Sequence, residues 1–555
     1  MSKLLIIIIA VVFFLVYYFL TREKKKLKKF REEWETGKFI RQSEDMESIS
    51  SYWSNKRNSM HDYDGIDQLT WDDLSMDKIF QKLNYTQTTV GSEYLFNQLR
   101  EINLSLEHIQ DDEELYALLA NNQKLREKIL LILSGLGKRN YTNSTSFFYD
   151  ISSKKAKNAL VYNLLALLSI SSIALLLFNL KWGIFCLLGS FLINTIIYYR
   201  NKNMLEYDLL SITYIASIIN AGKRFLSVNQ PEFTSYENKL LKNMKPIKKI
   251  LFLSNISSLG HKGGGEFDTV FEYIRILFLL DFISYNKIVK TISNHQEEYR
   301  EVWRFIGKLD AAIAVAHYRK SIDKYCTPHF IDKEELLFEE MAHPLIAGPV
   351  TNTSSLGKST LVTGSNASGK STYIKAIAIN AILAQTINTA LAEKWMMKPS
   401  YITTSMAIQD SVLDGDSYFI AEIKSLKRIV KLIEEGKPCL SFVDEILKGT
   451  NTVERIAASA SMMEWLSEHQ GMNIVASHDI ELTEIAGAVY TNYHFREIIE
   501  NGEVRFDYTI HAGPSNTRNA IKLLEVLDYP QLITQQANKL AEQFTKSREW
   551  GEIGH

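Results

Sequence analysis

From Leu160 to Tyr199 the chain carries one charged residue, Lys181, in forty positions. Such a stretch has no polar stripe to turn toward water, which a helix on the surface of a soluble domain requires. It breaks at Asn179, Leu180 and Lys181 into two apolar runs, 160–178 and 182–199. Each is long enough to cross a hydrocarbon layer about 30 Å thick as a helix. The pattern predicts a helical hairpin in a membrane; the alternative is a pair of long helices buried in a soluble core. Lys154, Lys155 and Lys157 precede the runs and Arg200 and Lys202 follow them, which puts both ends on the cytoplasmic side.

A further uncharged apolar run of seventeen residues extends from Leu4 to Leu20, at the short end of membrane-spanning length. A cleaved signal peptide would carry a shorter apolar region and a small-residue cleavage site, so the run reads as an anchor. Arg22, Lys24, Lys25, Lys26, Lys28, Lys29 and Arg31 follow it, against Lys3 alone before it. The N-terminus is therefore expected outside and the rest of the chain in the cytoplasm, in agreement with the hairpin. Phe30-Arg31-Glu32 in this basic stretch is a triplet of a kind that recurs at Phe338 and Phe495.

With 555 residues, 46% of them hydrophobic, the chain can build two or three cores. Its 63 basic and 64 acidic residues nearly cancel, which excludes a global polycationic field; contact with nucleic acid would need a local patch. Cys186, Cys326 and Cys439 are far apart and form no CxxC pair, so neither a disulfide framework nor a structural zinc site is expected. A reducing cytosolic setting fits that usage.

Residues 65–158 and 201–342 have apolar residues at helical spacing, as in IQDDEELYALLANNQKLREKILLILSGLG. The turn GHKGGGEF at 260–267 reads as a connection between helices. No strand leads into Gly263, Gly264 and Gly265, as a phosphate loop would require. After Pro344 short β-branched runs alternate with helical ones, which implies a parallel sheet with crossover helices.

Gly364-Ser365-Asn366-Ala367-Ser368-Gly369-Lys370-Ser371, followed by Thr372, satisfies GxxxxGK[ST] between a strand, STLVT, and a helix. In that context the backbone amides can converge on phosphates, Lys370 can charge-pair with them, and the Ser371 hydroxyl can ligate Mg²⁺. Leu440 to Glu445 reads as an apolar strand ending in two acids. Asp444 is placed to hold the metal shell and Glu445 to polarise an attacking water. A third strand runs from Ile474 into His478; a single histidine is more often structural, but its place at a strand end favours a ring that reaches a γ-phosphate.

The runs TGSNASGKSTYIKA, GDSYFIAE, VDEILKGTNT and ASHD, in this order, resemble the ATPase module of the MutS family of mismatch-repair proteins, one of the ABC-type ATPases. KLDAAIAVAHYRKSIDKYCTPHFIDKEELLFEEMAHPLI and TTVGSEYLFNQLREI resemble the end and the beginning of that family's core domain. The resemblance implies ATP and Mg²⁺ as ligands. It gives Lys370, Ser371 and Asp444 the phosphates and metal, Glu445 the water, and His478 the sensing of the γ-phosphate. It matches Asn366 to the family's P-loop asparagine. It also matches Ser417 to the serine that completes the opposite subunit's site, and Gly449 to Thr452 to the loop crossing the interface, so a homodimer is implied. The adenine-contacting residue has no match, because the stretch after His343 and Pro344 is shorter than the family pattern.

The expected organisation is an N-terminal transmembrane anchor (1–21), a basic linker (22–64), and an all-α MutS-like core in two parts (65–158 and 201–342). A transmembrane hairpin (159–200) interrupts that core; a C-terminal α/β ABC-type P-loop ATPase domain (343–545) and a polar tail (546–555) follow. The family reads mismatches with an N-terminal Phe-x-Glu domain, for which the linker leaves no room. The hairpin lies where the family builds its DNA-embracing lever and clamp helices. Two functions are thereby expected: an integral inner- or plasma-membrane MutS-like ATPase coupled to DNA, or a membrane ATPase switch acting on a protein partner or on its own hairpin. An ABC transporter fits less well, since the chain has no LSGGQ-type run.

Overall fold

The computed structural model describes residues 21–40, 44–60, 65–154, 159–228, 230–257, 266–365, 368–406, 418–448, 450–500, 503–515, 520–526, 529–547 and 550. The apolar run 4–20, Gly263 to Gly265, Asn366, Ala367, Ser417, Gly449 and the end of the polar tail lie outside the described residues. The chain forms two compact units, one from residues 1–63, 82–98 and 111–322, the other from 64–81, 99–110 and 323–555.

The first unit is helical among its described residues. The helix Gln296–Ser321 buries Tyr299, Val302, Trp303, Ile306 and Leu309, then an unbroken run from Asp310 to Arg319. The small residues Ala311, Ala312, Ala314 and Ala316 let neighbouring elements approach this helix from all sides. Asp310 is the one carboxylate in that run, fully buried. It accepts hydrogen bonds from the Gln87 and Thr88 backbone N–H groups at 2.9 and 2.8 Å, and from the Thr88 hydroxyl at 2.6 Å. It thereby satisfies amides at the start of the helix that begins at Thr89.

Burial pushes the Asp310 carboxyl up to about 6 from 3.8, against the opposing pull of the Thr88 and Gln87 donors. The folded state thus keeps a proton that the unfolded chain gives up. Stability present below about pH 4 is lost as pH rises through about 6, a change of roughly 3 kcal/mol. Asp310→Asn is expected to flatten the stability profile between pH 4 and 6. It should lower stability by about 1–3 kcal/mol below pH 4, because the amide nitrogen meets a donor where the carboxyl oxygen accepted, and the deficit should shrink as pH rises through about 6. Urea midpoints of both proteins across this pH range check it; parallel profiles would show that Asp310 does not titrate there.

Among the described residues, two helices of the first unit are long and apolar enough to cross a membrane, Ala159–Leu176 and the start of Leu180–Phe225. The Asn179 side chain caps the second, accepting from the Trp182 N–H. Only 22% and 17% of their apolar windows are buried, and Leu164, Leu167, Leu177, Phe178, Trp182, Phe185, Leu188 and Leu192 are exposed. A soluble core would bury these side chains. Ser169, Ser172, Ser190 and Asn194 turn inward instead: Asn194 donates to the Ser169 hydroxyl at 3.1 Å and to the Leu277 carbonyl at 2.7 Å. The second helix does not stop where the apolar run ends near Tyr199. It continues for 46 residues in all, about 69 Å, and its far half buries Tyr214, Ile215, Ile218, Ile219 and Phe225.

The second unit is built on a six-stranded sheet of β1 (Ser359–Thr363), β2 (Tyr401–Ser405), β3 (Cys439–Asp444), β4 (Met472–Ser477), β5 (Thr491–His494) and β6 (His511–Ala512). The spatial order is β6-β5-β1-β4-β3-β2, parallel except for β6, which runs antiparallel to β5. β1, β3 and β4 are buried runs of Leu, Val, Ile and Phe with small polar residues, as strands covered on both faces should be. Helices α1 (Lys370–Ile387), α2 (Tyr418–Glu434) and α3 (Thr452–Glu468) connect them. Leu361, Val443 and Val475 from the sheet pack with Ile429, Ile433, Met463 and Leu466 from α2 and α3.

These units do not follow single stretches such as 65–158 and 343–545. Residues 64–81 join the sheet unit because Asp73 accepts from the Thr404 hydroxyl at 2.6 Å and the Met406 N–H at 3.1 Å, beside the edge strand β2. Arg428 of α2 adds a hydrogen-bonded ion pair to Asp67. Residues from 323 onward join it because His329–Phe330 pairs in parallel with Lys394–Met397 in a second, four-stranded sheet.

Candidate functional site

Register fixes where the chemistry gathers. Thr363 at the end of β1 lies opposite Ser477 at the end of β4, and Asp444 at the end of β3 lies opposite Ala476. The loop leaving β1, the acids closing β3 and the histidine after β4 therefore emerge at one edge of the sheet. Carboxyl ends of parallel strands are where open α/β folds place their ligands.

Two glycines make the loop possible. Gly364 has φ +146° and a Cβ there would meet the Phe495 carbonyl at 2.7 Å; Gly369 has φ +105° at the start of α1. Lys370 is the first residue of α1 and is buried. Its Nζ donates to the Gly364 and Ser365 carbonyls at 2.7 and 2.9 Å, folding the cation back over the loop. Burial pulls its pKa down, and Asp444, Glu445 and Glu497 push it up. The Ser365 hydroxyl donates to Glu497 at 2.5 Å. The Ser368 hydroxyl is buried with no hydrogen-bond partner among the described residues. Ser371 and Thr372 are exposed at the rim.

The Asp444 carboxyl is hydrogen-bonded to the Ser371 side chain; burial raises its pKa and that bond opposes the rise. Glu445 sits at φ +62°, a left-handed conformation that costs about 1–3 kcal/mol for a non-glycine residue. Its N–H donates to the Ala476 carbonyl at 2.9 Å, which pins the turn. One carboxylate oxygen accepts from His478 Nδ1 at 3.2 Å and the other from Lys448 Nζ at 2.6 Å. The His478 bond, then Lys448, outweigh burial and hold the Glu445 carboxyl down at about 2. The same bond raises His478 above its usual value.

The structure thus brings Gly364, Ser365, Ser368, Gly369, Lys370, Ser371, Asp444, Glu445 and His478 to one edge. Asn366, Ala367 and Ser417 fall outside the described residues. Several neighbours were not legible in advance. Lys448 had a signal, three residues after Glu445 in VDEILKG. Glu497 and Tyr508 had none, since they arrive from more than a hundred residues downstream. Tyr508 has φ +52°, and its ring lies 3.1 Å from where a Gly369 Cβ would be. Asn352 holds that turn by donating to the Tyr508 carbonyl at 3.1 Å and accepting from the Ile510 N–H at 2.8 Å.

Together these features define an open α/β domain with polar and charged groups converging at the carboxyl ends of its strands. Residues 360–545 match the family model of MutS domain V. The DNA mismatch repair protein MutS of Geobacillus sp. (strain WCH70) is 29% identical over 230 residues, covering 39% of this chain and 26% of that protein. The MutS proteins of Natronomonas pharaonis and Listeria welshimeri are 26% and 24% identical over 273 and 278 residues. Those matches cover 47% and 48% of this chain and 31% and 32% of the relatives. Residues 360–545 are thus similar to MutS domain V, and the chain spans about a quarter to a third of the length of these relatives.

Proposed function

We propose that this protein is a Mg²⁺-dependent ATPase of the MutS type, active as a homodimer, held in a membrane by its helical hairpin, with DNA as the ligand its nucleotide cycle controls. The observation that carries the reading is the convergence of Lys370, Ser371, Asp444, Glu445 and His478 at one sheet edge. Lys370 would exchange its two loop carbonyls for the β- and γ-phosphates of ATP. The loop from Gly364 to Gly369, with Ser371 and Thr372, would surround those phosphates at the N-terminus of α1. The unpartnered Ser368 hydroxyl inside the loop suits a ligand oxygen.

The Ser371 hydroxyl and Asp444 carboxylate fit Mg²⁺, a hard cation that takes few protein oxygens and fills its remaining positions with phosphate and water. When bound, the ion neutralises phosphate charge. Glu445 would orient the attacking water, and His478 would contact the γ-phosphate. Tyr508, an aromatic ring beside the start of α1, would flank the base. Ser417 from the second subunit would complete each site. DNA as the controlled ligand is supported by the relatives, which are named DNA mismatch repair proteins.

One observation favours a second reading, a membrane switch whose output is movement of the hairpin or a bound protein. The helix Leu180–Phe225 runs unbroken from the apolar hairpin into the helical core. Turnover of the full-length protein in detergent, with homoduplex, mismatched or branched DNA over a series of salt concentrations, separates the two. DNA coupling is expected to change turnover severalfold, with binding that weakens steeply as salt rises. Mg²⁺-dependent turnover indifferent to every DNA would favour the switch, and absence of ATP hydrolysis would overturn both.

A further inference from the structure

His478 stands between two carboxylates. Glu445 holds Nδ1 at 3.2 Å, and Asp479 Oδ1 lies 3.7 Å from Nε2, too far for a hydrogen bond. Arg455 keeps it there. Its guanidinium engages both Asp479 oxygens, Nε at 3.0 Å to one and the terminal nitrogen at 2.6 Å to the other. The two side chains are largely buried, at 15% and 8% exposure. A two-pronged Arg–carboxylate pair is rigid and strong. Asp479 is fixed on its own side as well, its N–H donating to the Ser477 hydroxyl at 3.0 Å.

Arg455 belongs to the first turn of α3, with its N–H bonded to the Asn451 carbonyl at 2.9 Å. The Asn451 side chain caps that helix by accepting from the Val453 and Glu454 N–H groups at 3.0 and 3.1 Å. Movement of the segment ending at Thr452 therefore carries Arg455 with it.

We infer that Arg455 and Asp479 are a positioning pair: by occupying Asp479, Arg455 keeps that carboxylate off His478 Nε2 and leaves the nitrogen free to face the γ-phosphate. The inference rests on the ATPase reading. It also gives the 450–452 segment a way to act on His478, because withdrawing Arg455 frees Asp479 to capture the ring. Neither residue touches substrate; both act through His478.

The test is steady-state ATP hydrolysis by full-length protein. Arg455→Gln is expected to lower kcat about tenfold with KM for ATP within twofold. Arg455→Lys, which keeps the charge but not the fork, should fall between. Combining Arg455→Gln with Asp479→Asn should recover most of the lost turnover, since the freed competitor is then uncharged. In a His478→Ala background Arg455→Gln should have no further effect. A purely structural Arg455 would give equal losses in both backgrounds and no recovery from Asp479→Asn, and that result would overturn the inference, as would an unchanged kcat in Arg455→Gln. Failure of the ATPase reading looks different: the unsubstituted protein would not turn over ATP.

Discussion

Glu445→Gln is expected to bind ATP as well as the unsubstituted protein and to hydrolyse it about 100- to 10,000-fold more slowly, the range for loss of a general base. The carboxylate lies at the site edge in a left-handed turn, its oxygens held by His478 and Lys448. An amide of the same shape keeps the turn and can still accept from one of those donors. It cannot take a proton from water. On the proposed reading, binding rests on other groups, Lys370 and the loop whose carbonyls it now holds, so the substitution separates the two steps. Fluorescent-nucleotide binding and phosphate release, measured on the same preparation, check it. Equal turnover in the two proteins would remove Glu445 from its role, whereas loss of binding would mean that it shapes the loop.

The grip of His478 and Lys448 on Glu445 also bears on when hydrolysis can occur. A carboxylate held at about 2 is a weak base. With Lys448 only 2.6 Å away, one oxygen is engaged by a cation rather than open to a water. On the proposed reading, a water reaches that oxygen only once Lys448 moves aside, and Lys448 lies directly before the segment proposed to meet the second subunit. Its backbone N–H is tied to the Glu422 carboxylate of α2 at 3.1 Å, so the side chain can swing while the main chain stays in place.

What the sequence revealed and what it hid follow from the range of the interactions. STLVT, LSFVD and NIVAS are strands by local composition, and they occupy adjacent positions in a parallel sheet, as the alternation with helices implied. Their terminal residues were legible as candidate site residues because a strand end delivers them to one edge of the sheet whatever surrounds it. The Arg455–Asp479 pair was not: Asp479 closes the run ASHD, but Arg455 has no local mark and the pair forms only when α3 packs beside β4. Glu497 and Tyr508 were hidden for the same reason. The edge cover from Thr70 and Asp73 joins residues more than three hundred positions apart, which periodicity cannot reveal. The helix Leu180–Phe225 shows a different limit: hydropathy marked where the apolar run ends, near Arg200, but the helix itself continues because nothing in YYRNK breaks it.

The same helix makes the membrane reading testable at residue resolution. Cysteine placed at Leu177, beside the turn at Asn179, is expected to react with a membrane-impermeant maleimide added outside intact cells. Cysteine at Lys202 should react only after the membrane is opened. The first apolar helix rises about 27 Å over its 18 residues and the second about 35 Å from Leu180 to Lys202, close to the hydrocarbon thickness. One lysine in place of Leu188, an exposed side chain in the second apolar segment, adds about 2.5–3.5 kcal/mol to insertion and should reduce outside labelling of the Leu177 cysteine. Substituting Lys for Asn194 perturbs differently, because Asn194 is buried against Ser169 and the Leu277 carbonyl, and it would disturb helix packing as well as insertion. Equal labelling of the 177 and 202 cysteines without opening the membrane, or none at 177, would mean that the hairpin does not cross. Its exposed apolar face would then need a protein cover, and the second reading of function would lose the lever through which it acts.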